Sequence, residues 1–326
     1  MIRRWTTGAL ALVAMLPAAC SSDGNGLFDP AGVGAADGSS TTADAASGTS
    51  SNQVPTDPAQ SAVCVRWNAD RAFLQEGRFT GDIDMCTAGT WDAPGPENTL
   101  RQVNLYRWMA GLEPVTLDAE KSVDAQACAV MMDANEDLAH DPPSNWDCRG
   151  TTAVAAAGLS NIATTAGVFA TDLYMVDDGV QNLGHRRWIL SNSLGPIGVG
   201  STSAYSCLHV IGGRGAGTAR WTAWPPPGDF PLQAGRVLSW TTLDRAGWSI
   251  QSDQLDLRNA QVTVRVAGEA RPISVQTKLG IGYGSTFGIR ISPEGWTVEA
   301  GEQYDVSVRG IAEDIDYSVN VLDCSG

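Results

Sequence analysis

Residues 103–140 read VNLYRWMAGLEPVTLDAEKSVDAQACAVMMDANEDLAH, and this stretch decides the fold of the first half of the chain. Apolar positions recur every three or four residues on both sides of Gly111, which predicts two helices separated by a turn. Thr116 or Asp118 is expected to cap the second helix, which should end at His140 because Asp-Pro-Pro follows. The positions that set the spacing are Leu100, Val103, Arg107 and Ala110 in the first helix, and Val123, Ala127, Val130 or Met131, Ala134 and Leu138 in the second.

Shorter elements are predicted over the next seventy residues or so. TTAVAAAGLSNIATT (151–165) is small and apolar, and DLYMVDDGVQNLGHRRWIL (172–190) has helical spacing interrupted by glycines. The second stretch therefore predicts either two short helices or one helix and a loop. PIGVGSTSAYSCLHVIGG (196–213) is rich in β-branched residues and glycine, and it predicts a hairpin of two strands.

The periodicity of the sequence changes after residues 214–231, which read as a linker and mark a domain boundary. Beyond them, QVTVRVAG, RPISVQTKL, FGIRISPEG, QYDVSVRG and DYSVNVLD each alternate apolar and polar residues. Several such strands without helices predict a β-sandwich in which one face of each sheet meets water. The predicted β-sandwich domain covers residues 216–326.

The N-terminus predicts export. Residues 1–19 combine a basic start with an apolar run too short to span a bilayer, which is typical of a signal peptide. Cys20 follows two alanines and is expected to be the lipidated cysteine of a bacterial lipoprotein; the alternative is an ordinary signal in which Cys20 plays no part. Residues 20–60 are dominated by Gly, Ala, Ser, Thr and Asp and predict a disordered tether. A cysteine-bracketed segment, 61–96, comes next.

The cysteines indicate an oxidising compartment. Setting Cys20 aside leaves six, Cys64, Cys86, Cys128, Cys148, Cys207 and Cys324. An even number in an exported chain predicts three disulfides. The pairing expected from sequence order is Cys64–Cys86, Cys128–Cys148 and Cys207–Cys324, and the alternative is that these residues are buried free thiols.

Charge and motif content exclude several classes of protein. The formal net charge is −15, from 36 acidic and 21 basic residues, which argues against binding to nucleic acid or attraction to anionic lipid. The sequence has no Gly-x-Ser-x-Gly turn, phosphate loop, dinucleotide-binding fingerprint or His-Glu-x-x-His helix.

The chain has only three histidines, His140, His185 and His209. Imidazoles brought together from separate elements commonly hold a transition metal, and carboxylates lie near two of these three in the sequence. The alternative for His140 is a cap at a helix C-terminus, where the helix dipole favours a histidine.

Four blocks of the sequence resemble the CAP superfamily, or SCP domain, of cysteine-rich secretory, antigen 5 and pathogenesis-related 1 proteins. The first block is carried by Asn104, Arg107, Gly111, Pro114 and His140; the second by Asn161, Ile162 and Ala163; the third by Gly184, His185, Arg186, Ile189 and Leu190; the fourth by Ile197 to Gly200. The resemblance, closest to the bacterial exported branch, implies a three-layer α-β-α fold. The expected CAP-like domain covers residues 97–215.

The resemblance also implies a site. The family's two matching histidines face one another across a cavity, with two acidic residues and at times a divalent metal such as zinc. His140, His185, Ser160, Asn161, Asp177 and Asp178 are the cavity residues expected here, and His140 and His185 the metal ligands. The family glutamate falls at Ser160, so Asp177 or Asp178 is expected to supply the remaining acid, and His209 is a further candidate if it points into the cavity. Of the two arginines after His185, Arg186 is expected to pair with a local carboxylate and Arg187 to be solvated.

The end of the chain is similar to an immunoglobulin-like module found beside bacterial CAP domains, through WPPPGDFPLQ and GWSIQSD. The leading hypothesis is a lipid-anchored cell-envelope protein, or a secreted one, that binds a lipid, an envelope component, a partner protein or a divalent metal. One alternative is a metal-dependent hydrolase or protease that uses His140 and His185. Another is a structural envelope spacer.

Overall fold

The structure, a computed structural model, describes residues 61–325. The predicted signal peptide, Cys20 and the predicted tether lie outside the described residues. The helices are α1 (Ala62–Arg71), α2 (Gly95–Met109), α3 (Ala119–Ala134), α4 (Thr151–Gly158), α5 (Gly167–Val176), α6 (Gly184–Ile189) and α7 (Leu243–Ala246). The strands are β1 (Ser160–Ala163), β2 (Gly198–Ser201), β3 (Ser206–His209), β4 (Thr222–Trp224), β5 (Gly228–Pro231), β6 (Trp248–Ser252), β7 (Gln261–Val266), β8 (Glu269–Ala270), β9 (Ile273–Gln276), β10 (Phe287–Pro293), β11 (Gln303–Arg309) and β12 (Ile315–Leu322). No helix among residues 61–325 is long and apolar enough to cross a membrane.

An antiparallel sheet in the order β1-β3-β2 forms the middle layer of the first body. Ile162 and Cys207 pack on one face of the sheet with α3 and α4. Val199 and Leu208 belong to a separate apolar cluster on the other face, with residues of α2 and α5. The result is the three-layer α-β-α arrangement that the resemblance implies.

Two glycines of β2 set how closely α3 approaches the sheet. A Cβ atom at Gly200 would lie 2.2 Å from the backbone carbon of Ala125, and one at Gly198 would lie 2.3 Å from the backbone of Lys121. Any side chain at either position would push the helix away from the strand. The glycines of the IGVG stretch therefore serve a packing function.

The two helices predicted on either side of Gly111 are present, but the predicted C-terminal end of α3 is wrong. Asp118 caps α3, and its side chain accepts a hydrogen bond from the amide of Lys121, as expected. The prediction that α3 continues to His140 is wrong, because α3 ends at Ala134. The side chain of Asn135 donates to the carbonyl of Met131 and also to that of Asp147, so it replaces the helical pattern with local bonds.

Residues 172–190 fold as the end of α5 followed by the short helix α6, one of the two predicted arrangements. The hairpin predicted over 196–213 is confirmed as β2 and β3, which pair with Val199 opposite Leu208. The connection between α5 and α6 requires left-handed backbone at two non-glycine residues, Asp177 (φ 58°) and Leu183 (φ 50°). This connection presents Asp177 to α6.

The second body consists of two sheets, in the orders β4-β6-β10-β9 and β5-β12-β11-β7-β8. Strand β11 shows the alternation seen in the sequence, since Val306 and Val308 are buried while Ser307 between them is only half-buried. The five predicted strands are all present. The prediction that 214–231 is only a linker is wrong, because β4 and β5 lie within it and pair with β6 and β12.

Helix α1 connects the two ends of the described chain. Cys64 on α1 is disulfide-bonded to Cys324, and Asn68 donates a hydrogen bond to the carbonyl of Cys324. Ser61, directly before the helix, donates to Asp229 on β5. The helix therefore packs against both α2 and the second body.

The three disulfides are Cys64–Cys324, Cys86–Cys148 and Cys128–Cys207. The pairing expected from sequence order is therefore wrong for all six cysteines. The reason is the layering of the fold: Cys128 on α3 faces Cys207 on β3 across the helix–sheet interface, while Cys148 is its closer neighbour in sequence. The free-thiol alternative is wrong as well.

These pairings can be checked by peptide mapping under non-reducing conditions. We expect cross-linked peptides that join Cys64 to Cys324, and we expect the Cys64→Ser, Cys324→Ser double variant to lose about 2–5 kcal/mol of unfolding free energy. Peptides that join Cys64 to Cys86 would contradict the fold. The Cys86→Ser, Cys148→Ser variant is the control, because it should leave the Cys64–Cys324 peptide unchanged.

Candidate functional site

His185 is held in a defined orientation by a buried carboxylate. Its Nδ1 lies 2.7 Å from Oδ1 of Asp177, whose other oxygen accepts the backbone amide of Arg186 at 3.1 Å. Because a carboxylate only accepts here, the Nδ1 of His185 carries the proton. The other ring nitrogen, Nε2, lies on the far side of the ring from this bond.

His140 is fixed in the same manner by a carbonyl. Its Nδ1 lies 2.9 Å from the carbonyl oxygen of Ala157, at the end of α4. A carbonyl oxygen also only accepts, so this nitrogen donates and Nε2 is left with its lone pair. Burial lowers the pKa of His140, the bond to Ala157 offsets part of that effect, and a positive charge on His185 lowers the pKa further. His140 is therefore neutral at pH 7, and the two imidazoles are electrostatically coupled.

Asn161 and Tyr174 support His185 from the sheet and from α5. The side chain of Asn161 donates to the carbonyl of His185 at 3.1 Å, and the hydroxyl of Tyr174 donates to the carbonyl of Asn161 at 3.1 Å. The Tyr174 ring lies 5.3 Å from the His185 ring, tilted by 39°. Burial raises the pKa of Tyr174, so the phenol stays a neutral donor. Sequence reasoning missed Tyr174, although it lies three residues before Asp177.

Asp178, Ser160 and His209 have partners other than His140 and His185. Asp178 accepts a hydrogen bond from Thr241 and lies 3.4 Å from the guanidinium of Arg245, so it faces the second body. Ser160 pairs with His209 across strands β1 and β3, and paired residues share a face of the sheet. That face also carries Cys207, which is bonded to α3, and the neighbours of His209 include Lys121. Among residues 61–325 no hydrogen bond joins His209 to His140 or His185, and its part in the site stays a prediction.

The donor set does not fit a metal held by protein side chains alone. Structural and catalytic zinc sites use at least three protein ligands. His140 and His185 contribute one free nitrogen each, and both oxygens of Asp177 already accept hydrogen bonds. Among residues 61–325, no group of three or more His, Cys, Asp or Glu side chains is placed to hold a metal ion.

The residue after His185 anchors the helix to both bodies. Arg186 is fully buried and donates to the carbonyls of Met175 and Val176 on α5 and of Gly247 in the second body. Its guanidinium also donates to the hydroxyl of Ser249 at 3.3 Å, and none of its partners is a carboxylate, so the expected pairing of this side chain with a local carboxylate is wrong as a direct contact. Burial lowers the pKa of Arg186 to about 10, offset in part by Asp177, which still leaves it charged at neutral pH.

Arg187 extends the same attachment, and the prediction that it is solvated is wrong. It is 1% exposed and donates to the carbonyls of Gly280 (2.7 Å) and Ser285 (2.9 Å) in the second body. In return, the side chain of Gln251 on β6 donates to the carbonyls of Arg187 and Leu190 at 3.2 and 2.6 Å. Helix α6, which carries His185, is thus held against the second body by Arg186 and Arg187, the two residues that follow this histidine.

Comparison with known families supports the resemblance of the first body to the CAP superfamily. Residues 100–211 match the family model of the cysteine-rich secretory protein family, CAP. The match covers the chain from α2 to just beyond β3 and includes both histidines of the site. Comparisons with curated proteins and with solved structures found no match.

The histidines can be followed individually by NMR, since the chain has three. We expect His140 and His209 to titrate below the ordinary value of 6.5, because burial, the largest cause for each, opposes their charged forms. A histidine with a lowered pKa binds its proton less tightly in the folded state than in the unfolded one. The free energy of unfolding should therefore fall as the pH drops below about 6.5.

The control for this titration is His140→Gln, which should remove one imidazole signal and reduce the loss of stability at low pH. A titration midpoint at or above 6.5 for His140 would contradict its buried, carbonyl-bound placement.

Proposed function

We propose that this protein is exported and acts by binding a ligand through His140 and His185 of its CAP-type body. One observation carries the proposal: each imidazole is anchored through Nδ1, by Asp177 or by the carbonyl of Ala157, so Nε2 of each ring is left for a ligand and offers a lone pair in the neutral form of the ring. Two oriented acceptors on a rigid frame form a recognition site that needs little ordering on binding.

The ligand class follows from these acceptors. A neutral imidazole nitrogen without a proton accepts hydrogen bonds, so the ligand must donate them, through hydroxyl, amide or ammonium groups. The net charge of −15 disfavours polyanions. Hydroxyl- or amine-bearing components of a cell envelope, including lipid headgroups, have the chemistry that this site recognises.

The contacts of the site favour binding over catalysis. His185 and Asp177 form an oriented base, which a hydrolase would pair with a nucleophile. Within the described part of the chain, no hydroxyl or thiol donates to either Nε2, and all six cysteines are in disulfides. The metal-dependent alternative lacks a third ligand, and the spacer alternative gives no reason for the anchored imidazoles.

The proposed location is outside the cytoplasm, on a membrane through lipidated Cys20. Three disulfides fit an oxidising compartment, and secretion is general among CAP proteins. The immunoglobulin-like character of the second body is part of the same proposal and is supported by its two antiparallel-rich sheets.

Native mass spectrometry of the protein purified from its own cells tests the binding proposal. We expect an added mass in the wild type that is lost in the His140→Gln, His185→Gln double variant, because both acceptors are removed. His209→Gln is the matched control, since this histidine lies on the α3 face of the sheet, and it should keep the added mass. Equal masses in all three proteins would contradict the proposal.

Calorimetric titration with zinc separates an organic ligand from a metal. We expect the wild type and the His140→Gln, His185→Gln variant to release the same heat, because two nitrogens alone make a weak site. A binding isotherm that disappears only in the double variant would show that a metal is the ligand.

Cell fractionation tests the anchor. Replacing Cys20 with serine removes the thiol that a lipid would modify, so the Cys20→Ser protein should move from the membrane fraction to the soluble fraction. His209→Gln serves again as the control and should remain with membranes. Unchanged fractionation of Cys20→Ser would show that the protein is not anchored at this residue.

A further inference from the structure

A cleft of about 320 Å³ lies on the second body, formed by residues apart from those of the histidine site. Its lining includes Arg271, which precedes β9, several residues of the connection from β10 to β11, and Tyr304 in β11. This volume is at the lower end of the range for small-molecule sites, about 300–1,000 Å³. The cleft is therefore large enough for one ring-sized ligand.

The floor of the cleft is a fixed pair of aromatic rings. The ring of Trp296 stacks on that of Tyr304, with centroids 5.6 Å apart and planes inclined by 12°. Trp248 meets both rings edge-on at 5.9 and 5.8 Å. These packed rings are pre-organised, so a ligand that contacts them does not have to order them.

The polar atoms of both rings are already engaged. Nε1 of Trp296 donates to the carbonyl of Pro272 at 2.7 Å, and the hydroxyl of Tyr304 accepts the amide of Glu299 at 2.9 Å. Trp296 is half-buried while Tyr304 is 2% exposed, so the floor presents indole ring surface rather than a hydrogen-bonding atom.

The walls of the cleft carry charges of both signs. Arg271, Glu299 and Glu302 all line it. Over residues 61–325 the side chains of these three residues make no ion pair or hydrogen bond with protein atoms, and all three are exposed. The lining thus combines an apolar ring with hydrogen-bond donors and acceptors. This combination does not favour a purely apolar ligand or a ligand that carries a single charge.

We propose that this cleft binds a saccharide. A sugar ring has a face of C–H bonds, which carry partial positive charge and are attracted to the negative face of an indole. Its hydroxyl groups both donate and accept, so they can use the carboxylates of Glu299 and Glu302 together with the guanidinium of Arg271. The second body would then recognise glycan independently of His140 and His185.

Calorimetric titration of the full chain with oligosaccharides tests this assignment. The probes are cellotetraose, chitotetraose and mannotetraose, with choline as a small cation for comparison. We expect at least one oligosaccharide to bind, and Arg271→Ala or Glu302→Gln to weaken that binding about ten-fold through loss of charge-assisted hydrogen bonds. Both residues are exposed, so these variants should fold normally.

The matched control is Arg265→Ala, which removes an exposed arginine of β7 that does not line the cleft and should bind like the wild type. Trp296→Phe keeps an aromatic ring in the stack and should weaken binding while leaving the melting temperature close to that of the wild type. The proposal is overturned if none of the three oligosaccharides binds below about 10 mM. It is also overturned if the cleft variants bind like the wild type, or if choline alone binds.

Discussion

Two buried guanidinium groups hold the candidate site together. Helix α6 has six residues, too few to be stable by itself, so its position depends on tertiary contacts. Arg186 and Arg187 supply those contacts by donating to backbone carbonyls of α5 and of the second body. A buried charge is tolerated only when its hydrogen bonds are made, so neither body can move away from α6 without leaving a charge unpartnered.

This attachment gives the second body a part in the first site. His185 directly precedes the two arginines, and Gln251 on β6 binds the carbonyl of Arg187. The Cys64–Cys324 bond adds a covalent connection between α1 and the last described residues of the chain. The second body therefore both supports the helix that carries His185 and contains a separate cleft, and a truncation after β3 would remove this support and the cleft together.

The parts of the fold that follow from local rules could be predicted from the sequence. Asp118 is a helix cap because its carboxylate reaches the first free amides, and Val306 and Val308 alternate with polar residues because one face of β11 is buried. Other features depend on distant contacts. Helix α3 ends where the side chain of Asn135 bonds forward to the carbonyl of Asp147, and Arg187 is buried because it donates to carbonyls about a hundred residues later in the chain. Contacts of that range leave no periodic signal, which is also why the order of the cysteines gave the wrong pairs.

The two imidazoles of the candidate site are oriented by different kinds of acceptor. At the position where the resemblance implies a glutamate, this chain has Ser160, whose strand partner is His209. His140 is held by a carbonyl, which orients the ring without a negative charge that would favour protonation. Asp177 supplies the single carboxylate, and it is shared between His185 and the amide of Arg186. The one carboxylate bonded to either ring is thus already engaged, so under the proposed function a ligand would be recognised through Nε2 of the two rings and not through a free negative charge.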